Sequence, residues 1–311
     1  MRKAGRALFA SVLCPVDFSE HSALALRYAA SIARRGGGTL HVLFVNDPLL
    51  VAAAAAAYNR AALGAASHAE LQRFVGETLP ARTIGRARLE VETALGPPAR
   101  EILRATQQRH HDLVVLGTKG LNAARRLFLG STTMEVLRRA RVPVLAVPPA
   151  DADATARVTV DAAWPGRTLV GAIEFGPHAA EDVLRAADVA RWFRTHLMLA
   201  HVVPIPSIPP WLSADVDEHL RHNCAKADAA LGALRGEIRG VRSTAIVRVG
   251  HPPDQIAAIA ADYRAGLIVM GLRGEAGLFG EPAGAYAYQV LRHGVAPVLA
   301  LPDRRRASTR G

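Results

Sequence analysis

Short runs of β-branched and leucine residues, each about five long, recur along the chain, separated by longer alanine-rich stretches with helical periodicity. Runs that are apolar throughout, rather than alternating, are the signature of parallel strands covered on both faces. The first series comprises Val12–Phe18, 40–45, 112–117 and 142–148. A second series repeats it piece by piece, with Leu169–Phe175, 197–202, 265–271 and 296–302. Pro97-Pro98 and Pro252-Pro253 stand at equivalent places and read as helix starts, where proline sacrifices no hydrogen bond. Ser19, just ahead of Glu20, reads as an N-cap. Each half therefore predicts β-α-β-α-β-α-β-α-β. The fold class is α/β, as two tandem doubly wound five-stranded parallel-sheet domains of Rossmann-like type.

A length of 311 residues suits two such domains, read as 1–149 and 167–303, with a linker over 150–166 and a basic tail over 304–311. Half of the residues are hydrophobic, enough for two cores. The formal charge of +11 raises nucleic acid or an anionic surface as partners. The arginines are scattered over many segments with no interleaved aromatics, so nucleic-acid binding is not expected. Arg138, Arg139 and Arg141 read as a helix end, where cations complement the dipole, and Arg304-Arg305-Arg306 as a terminal tail. Of the two cysteines, Cys14 lies in an apolar run and Cys224 in a polar helical stretch, so no disulfide framework is expected and a reducing cytoplasm fits. Met1-Arg2-Lys3 ahead of an apolar segment superficially resembles a signal peptide. The stretch from Arg167 to Glu174 has the same character in mid-chain, so both read as first strands. No apolar stretch approaches the roughly 18 residues of a membrane span, and the run Ala52–Ala57 is too short.

In an open parallel sheet, ligands bind beyond the carboxyl ends of the strands where strand order reverses. Three pieces converge there if strands 1 and 4 are neighbours. They are Pro15-Val16-Asp17, a side wall at Phe44-Val45-Asn46, and the loop after Leu116 that begins Gly117-Thr118-Lys119-Gly120. Nine residues later, Gly130-Ser131-Thr132-Thr133 opens the fourth helix, where free amides, the dipole and hydroxyl donors favour phosphate. Glycines at 117 and 120 let backbone approach a bulky anion, and Lys119, Arg125 and Arg126 add positive charge. Asp17 is negative and suits a ribose hydroxyl or a base amine better than a phosphate. Singly, these are turn glycines, a helix cap and a solvated face; together they describe a nucleotide lying across the sheet edge. His219, His222 and Cys224 bring only two side chains to one side of a helix, so no metal site is expected. His110-His111 reads as the exposed end of the helix before strand 4.

Pro15-Val16-Asp17-Phe18-Ser19, the Gly-x2-Gly-x9-Gly-Ser spacing from Gly117 to Ser131 and the closing Val142–Val147 segment resemble the universal stress proteins. Both halves share the resemblance, which makes the chain similar to a tandem member acting in stress response. In ATP-binding members the strand-1 Asp and the loop-4 glycines with the following Ser/Thr hold ATP. The resemblance implies a site of Asp17, Val45, Gly117, Lys119, Gly120, Gly130, Ser131, Thr132 and Thr133, with Pro15, Val16 and Leu116 giving backbone or apolar contact. Mg2+, where present, would be held by the phosphates. It also implies pairing through the last strand, so that Val144–Val147 and Val298–Leu301 would form a pseudo-dimer within one chain. Further homodimerisation and an unidentified protein partner stay open.

The second half keeps the glycines at 271, 274 and 284 but has Ala285 for the serine, Glu275 and Glu281 in the loop, and Glu174 in place of Asp17. Carboxylates within a few ångströms of phosphate cost on the order of kcal/mol. One ATP site, in the first half, is therefore expected. No catalytic residue is assigned, because no water-activating group stands at the γ-phosphate end and neither a Walker loop nor a Gly-x-Ser-x-Gly elbow is present. The expectation is a nucleotide-binding protein and not an enzyme. A nucleotide-independent scaffold and a slow ATPase or nucleotidyl-transferring enzyme are the alternatives.

Overall fold

Strands and helices alternate along both halves. In the computed structural model the first half runs β1 (Ser11–Val16), α1 (Glu20–Gly36), β2 (Thr39–Asn46), α2 (Arg60–Thr78), β3 (Arg88–Leu95), α3 (Pro98–Gln108), β4 (Leu113–Gly117), α4 (Ser131–Arg139) and β5 (Val144–Val147). The second runs β6 (Thr168–Ala172), α5 (Ala179–Phe193), β7 (His196–Val203), α6 (Val216–Gly236), β8 (Ser243–Val249), α7 (Pro252–Asp262), β9 (Leu267–Gly271), α8 (Ala285–Arg292) and β10 (Val298–Leu301). The structure describes residues 8–48, 51, 60–80, 83–118, 130–149, 164–205, 216–272 and 285–303. Most of the expected linker, the basic tail, Lys119, Gly120, Arg125, Arg126, Glu275 and Glu281 lie outside them. Two units divide near residue 163.

Strand order in the first unit is β3-β2-β1-β4-β5, all pairs parallel. The second has β8-β7-β6-β9-β10, again all parallel. Order reverses between β1 and β4, and between β6 and β9, so each unit has the edge cleft that a doubly wound sheet provides. The central strands are buried along nearly their whole length, as their unbroken apolar runs require. β3 and β8 are different. They lie at sheet edges, half exposed; β3 carries Arg88, Glu90 and Glu92 along one face, and β8 has only the short Ala245–Val247 stretch, so neither reads as a full apolar run.

Local chemistry sets the helix that flanks the cleft. Ser19 caps α1 by accepting from Ser22 N at 3.1 Å, and Gly37, at φ 62°, closes it by donating to the Ala33 and Arg34 carbonyls. The buried face of α1 is Leu24, Ala25, Leu26, Ala29, Ala30, Ile32 and Ala33, and its alanines bring the helix close to β1 and β4. Leu13, Leu26, Leu40, Leu113 and Leu145 are fully buried in this core. Each contributes about 2 kcal/mol of hydrophobic stabilisation. Pro98 and Pro252 stand in the first turns of α3 and α7, as expected.

One expectation is overturned. His110 is exposed beyond α3, but His111 is 4 % exposed, not a surface residue. It is drawn inward because its ring has partners on β1 and β2, far away in sequence.

Candidate functional site

The cleft of the first unit forms where β1 and β4 end side by side. Leu13 pairs with Val114, and three residues further along both strands lie Val16 and Gly117. On the other side Val16 pairs with Phe44, one residue before Val45. Pro15, Val16, Asp17, Val45, Leu116 and Gly117 are thus gathered at one carboxyl edge. Val16 and Leu116 are buried, while Pro15, Asp17, Val45 and Gly117 are partly open.

β1 stops at Val16, which leaves Asp17 to build the turn into α1. Its Oδ1 accepts from Ser19 N at 3.1 Å and from Ser19 Oγ at 2.6 Å, and its own N–H donates to Ser22 Oγ at 3.3 Å. The carboxylate therefore fixes the residue that caps α1. Phe18 sits between them at φ 63°, a left-handed conformation uncommon for a bulky residue. Its ring stacks on Phe44 with centroids 4.3 Å apart and meets Phe74 edge-on at 5.5 Å. Such pairs add roughly 0.5–1.5 kcal/mol beyond burial. The aromatic wall of the cleft is thus Phe18 and Phe44, and Phe18 was not among the expected site residues; its place directly after Asp17 was the available signal.

The two glycines of the phosphate-loop pattern have different reasons. A Cβ on Gly117 would lie 2.9 Å from the His21 carbonyl oxygen and 3.1 Å from its carbon. This glycine is demanded by the backbone of α1, whether or not a ligand is present. A Cβ on Gly130 would meet only ordinary contacts, at 3.8 Å and 3.9 Å, so the described protein leaves space beside it. Gly130 N donates to Thr118 O at 2.9 Å, which ties the start of α4 to the end of β4. Among the described residues no side chain caps α4. Thr133 turns inward and donates from Oγ1 to Gly117 O at 2.9 Å, so its hydroxyl is a brace, while Ser131 is exposed and Thr132 half-buried at the helix start. Amides of the first turn, the positive dipole end and two hydroxyls meet at this point, a combination suited to an anion.

The equivalent edge of the second unit has other chemistry. Ala172 pairs with Met270 on the strands corresponding to β1 and β4. A Cβ on Gly271 would meet the Asp182 carboxylate, with Oδ2 3.1 Å away, where the first unit has the His21 carbonyl. Glu181 and Asp182 occupy the first turn of α5, and Glu174 is exposed just past β6. Tyr286 and the buried Ala287 stand where Thr132 and Thr133 stand, so no hydroxyl braces the end of β9 from that position. His201 replaces Phe44 in the wall. Its ring packs on Phe175 with centroids 4.1 Å apart, and its Nδ1 donates to Ile173 O at 2.8 Å. Burial pushes its pKa down, so the ring is neutral.

At the opposite end of the first sheet lies a polar chain that the sequence did not announce. Ser11 Oγ is 2.8 Å from His111 Nδ1, and His111 Nε2 is 3.1 Å from His41 Nδ1. His41 Nε2 stands 3.1 Å from Glu92 Oε2, at ion-pair distance but outside good hydrogen-bond alignment. Arg109 bonds both Glu92 and Glu90. His41 is fully buried. Burial first, then the facing His41 and Arg109, push His111 down to about 4. His41 is also lowered, by burial and Arg109 against the opposing pull of Glu92 and Glu90.

The model of the universal stress protein family matches residues 9–148 and again 166–302. A universal stress protein of Mycolicibacterium smegmatis is 26 % identical over 300 residues, covering 94 % of this chain and 97 % of its own length. A universal stress protein of Thermus aquaticus is 31 % identical over 140 residues, 45 % of this chain and 99 % of its own. The crystal structure of a universal stress protein from Archaeoglobus fulgidus superposes with a TM-score of 0.66 at 21 % identity, over 96 % of this chain and 98 % of its own. That likeness is one of fold.

Proposed function

The chain belongs to the universal stress protein family, in two tandem copies, and from that premise we propose that it binds one ATP, in the cleft of the first unit, as a cytoplasmic stress-response protein. The observation that carries this reading is the start of α4, bonded directly to the end of β4, where the described residues leave space beside Gly130 and supply no side-chain cap. The triphosphate would lie over the amides of Ser131 and Thr132, and the sugar and base toward Asp17, Val45 and the Phe18–Phe44 wall. Lys119 and Gly120 belong to the same loop by sequence. In the second unit, Asp182 supports the opposite expectation, because its carboxylate presses on the equivalent strand end.

Binding rather than hydrolysis is the activity proposed. Asp17, the carboxylate at the edge, is engaged with Ser19, so it is placed for holding the turn and not for activating water. Isothermal titration should return one ATP per chain, and ATP at a hundredfold excess over its Kd should stabilise the first unit by about 2.7 kcal/mol. Gly130→Val should lower affinity at least about tenfold, with little change in stability without ligand, because the space it fills is the ligand's. Labelled ATP should be recovered intact. Two ATP per chain, or unchanged affinity in Gly130→Val, would overturn the assignment.

A further inference from the structure

The polar chain from Ser11 to Arg109, buried at its two histidines, plays no part in the nucleotide reading. It lies at the amino-terminal end of β1, β2 and β4, while the cleft is at their carboxyl end. Burying two imidazoles against each other has a price unless every ring nitrogen is served. One proton order serves three of the four nitrogens and leaves His41 Nε2 with the Glu92 carboxylate at ion-pair distance only. Ser11 Oγ–H donates to His111 Nδ1, His111 Nε2–H donates to His41 Nδ1, and His41 Nε2–H faces the Glu92 carboxylate. Both rings are neutral in that order. A further proton must enter at a nitrogen that is accepting. On His111 Nδ1 it reverses the Ser11 bond; on His41 Nδ1 it sets hydrogen against hydrogen at the 3.1 Å contact between the rings.

We propose that the His41–His111 pair is an acid sensor of the first unit: its protonation in mildly acidic conditions loosens the join of β1, β2 and β4 more than any strand join of the second unit. The charged groups facing the pair are Glu90 and Glu92 from β3 and Arg109 from the end of α3. Asp112, at the entry to β4, accepts from the Ala10 and Ser11 amides at 3.1 Å each and so pins the same corner. Arg109 engages both glutamates, and Arg88 also pairs with Glu90, so the pull of these carboxylates on an imidazolium at His41 is partly offset. Access is provided by an open cleft of about 340 Å3 lined by His111 with Gln107, His110, Asp112 and Arg141.

The second unit is the internal control. Where the first has His41, Glu92 and His111, strand register places Met198, Ile246 and Ala265. The sensor is therefore a feature of one copy and not of the fold.

The direction follows from linkage. In the unfolded chain each His titrates near 6.5. In the fold His111 titrates near 4, so the unfolded state binds more protons between these values. Stability from the pair is fully present above about pH 6.5 and is lost as pH falls toward 4. For His111 alone, the opening equilibrium rises roughly 30-fold between pH 7.5 and 5. Hydrogen exchange of the full chain, resolved by peptide and corrected for intrinsic rates, tests this. Protection in β1, β2 and β4 should fall by that order, and by clearly more than in β6, β7 and β9, where His196 and His201 are also lowered by burial but stand singly, each with its own partner. His41→Met/His111→Ala, which installs the second unit's residues, should flatten the response. Carbon-13-labelled histidine spectra of the wild-type chain supply a second readout, with the assigned His41 and His111 rings neutral at pH 6. Parallel loss of protection in both units, a surviving pH response in the double variant, or both rings titrating near 6.5 would overturn the proposal. None of these readouts uses ATP, so they stand apart from the nucleotide assignment.

Discussion

The strand ends at Gly117 and Gly271 occupy the same place in two copies of one fold, yet different atoms press on them. Against Gly117 lies the backbone carbonyl of His21; against Gly271 lies the side-chain carboxylate of Asp182. Both units keep their apolar runs, because a one-residue change there would leave a cavity or a clash in the sheet. Other positions differ between them: Ala287 stands where the first unit has Thr133, His201 where it has Phe44 and Met198 where it has His41. The fold is carried by the first set and the chemistry by the second, so duplication leaves the two clefts free to take different roles.

The sharpest way to break this comparison is to add the same methyl group to both strand ends. Gly117→Ala forces a Cβ to 2.9 Å from a backbone oxygen that can move only with α1, and should cost about 1–3 kcal/mol. Gly271→Ala meets the end of a rotatable side chain at 3.1 Å, so Asp182 swings aside and the cost should stay below about 1 kcal/mol. Urea unfolding of the two variants compares them directly. Equal losses would mean that the strand ends respond alike and that the difference in neighbours has no energetic content.

Capping gives a smaller contrast. Ser19 both caps α1 and donates to Asp17, whereas the residue at the start of α5, His178, makes no side-chain capping bond. Ser19→Ala should therefore cost about 1–2 kcal/mol and His178→Ala almost nothing. Thermal melts of the full chain read both. A loss at His178 matching that at Ser19 would remove the distinction.

What the sequence could disclose divides along the same line. The central strands were legible because burial on both faces forces unbroken apolar runs, as in Leu113–Gly117 and Leu267–Gly271. β3 and β8 were not, since edge strands exposed on one side read as polar segments. Asp17, Gly117 and the start of α4 were correctly drawn to one edge by the expected strand order. The reason for Gly117 was not legible, because His21 approaches it through the packing of a helix. His111 was misread for a similar cause: its partners Ser11 and His41 are 100 and 70 residues away, and no local pattern marks a histidine buried by distant contacts.

The smallest expected effect bears on how far the cleft itself is prearranged. Thr133 Oγ1 donates to Gly117 O at 2.9 Å, joining the first turn of α4 to the end of β4, and Ala287 offers no such bond to β9. Thr133→Val keeps the shape and removes the donor, so it should cost about 1 kcal/mol, the usual net worth of one hydrogen bond. If the hydroxyl is a brace, ATP affinity should fall severalfold, less than in Gly130→Val, because the amides of α4 remain and only their anchoring loosens. If it falls as far as in Gly130→Val with no loss of stability, Thr133 contacts the nucleotide itself, and α4 must shift on binding to free its hydroxyl from Gly117.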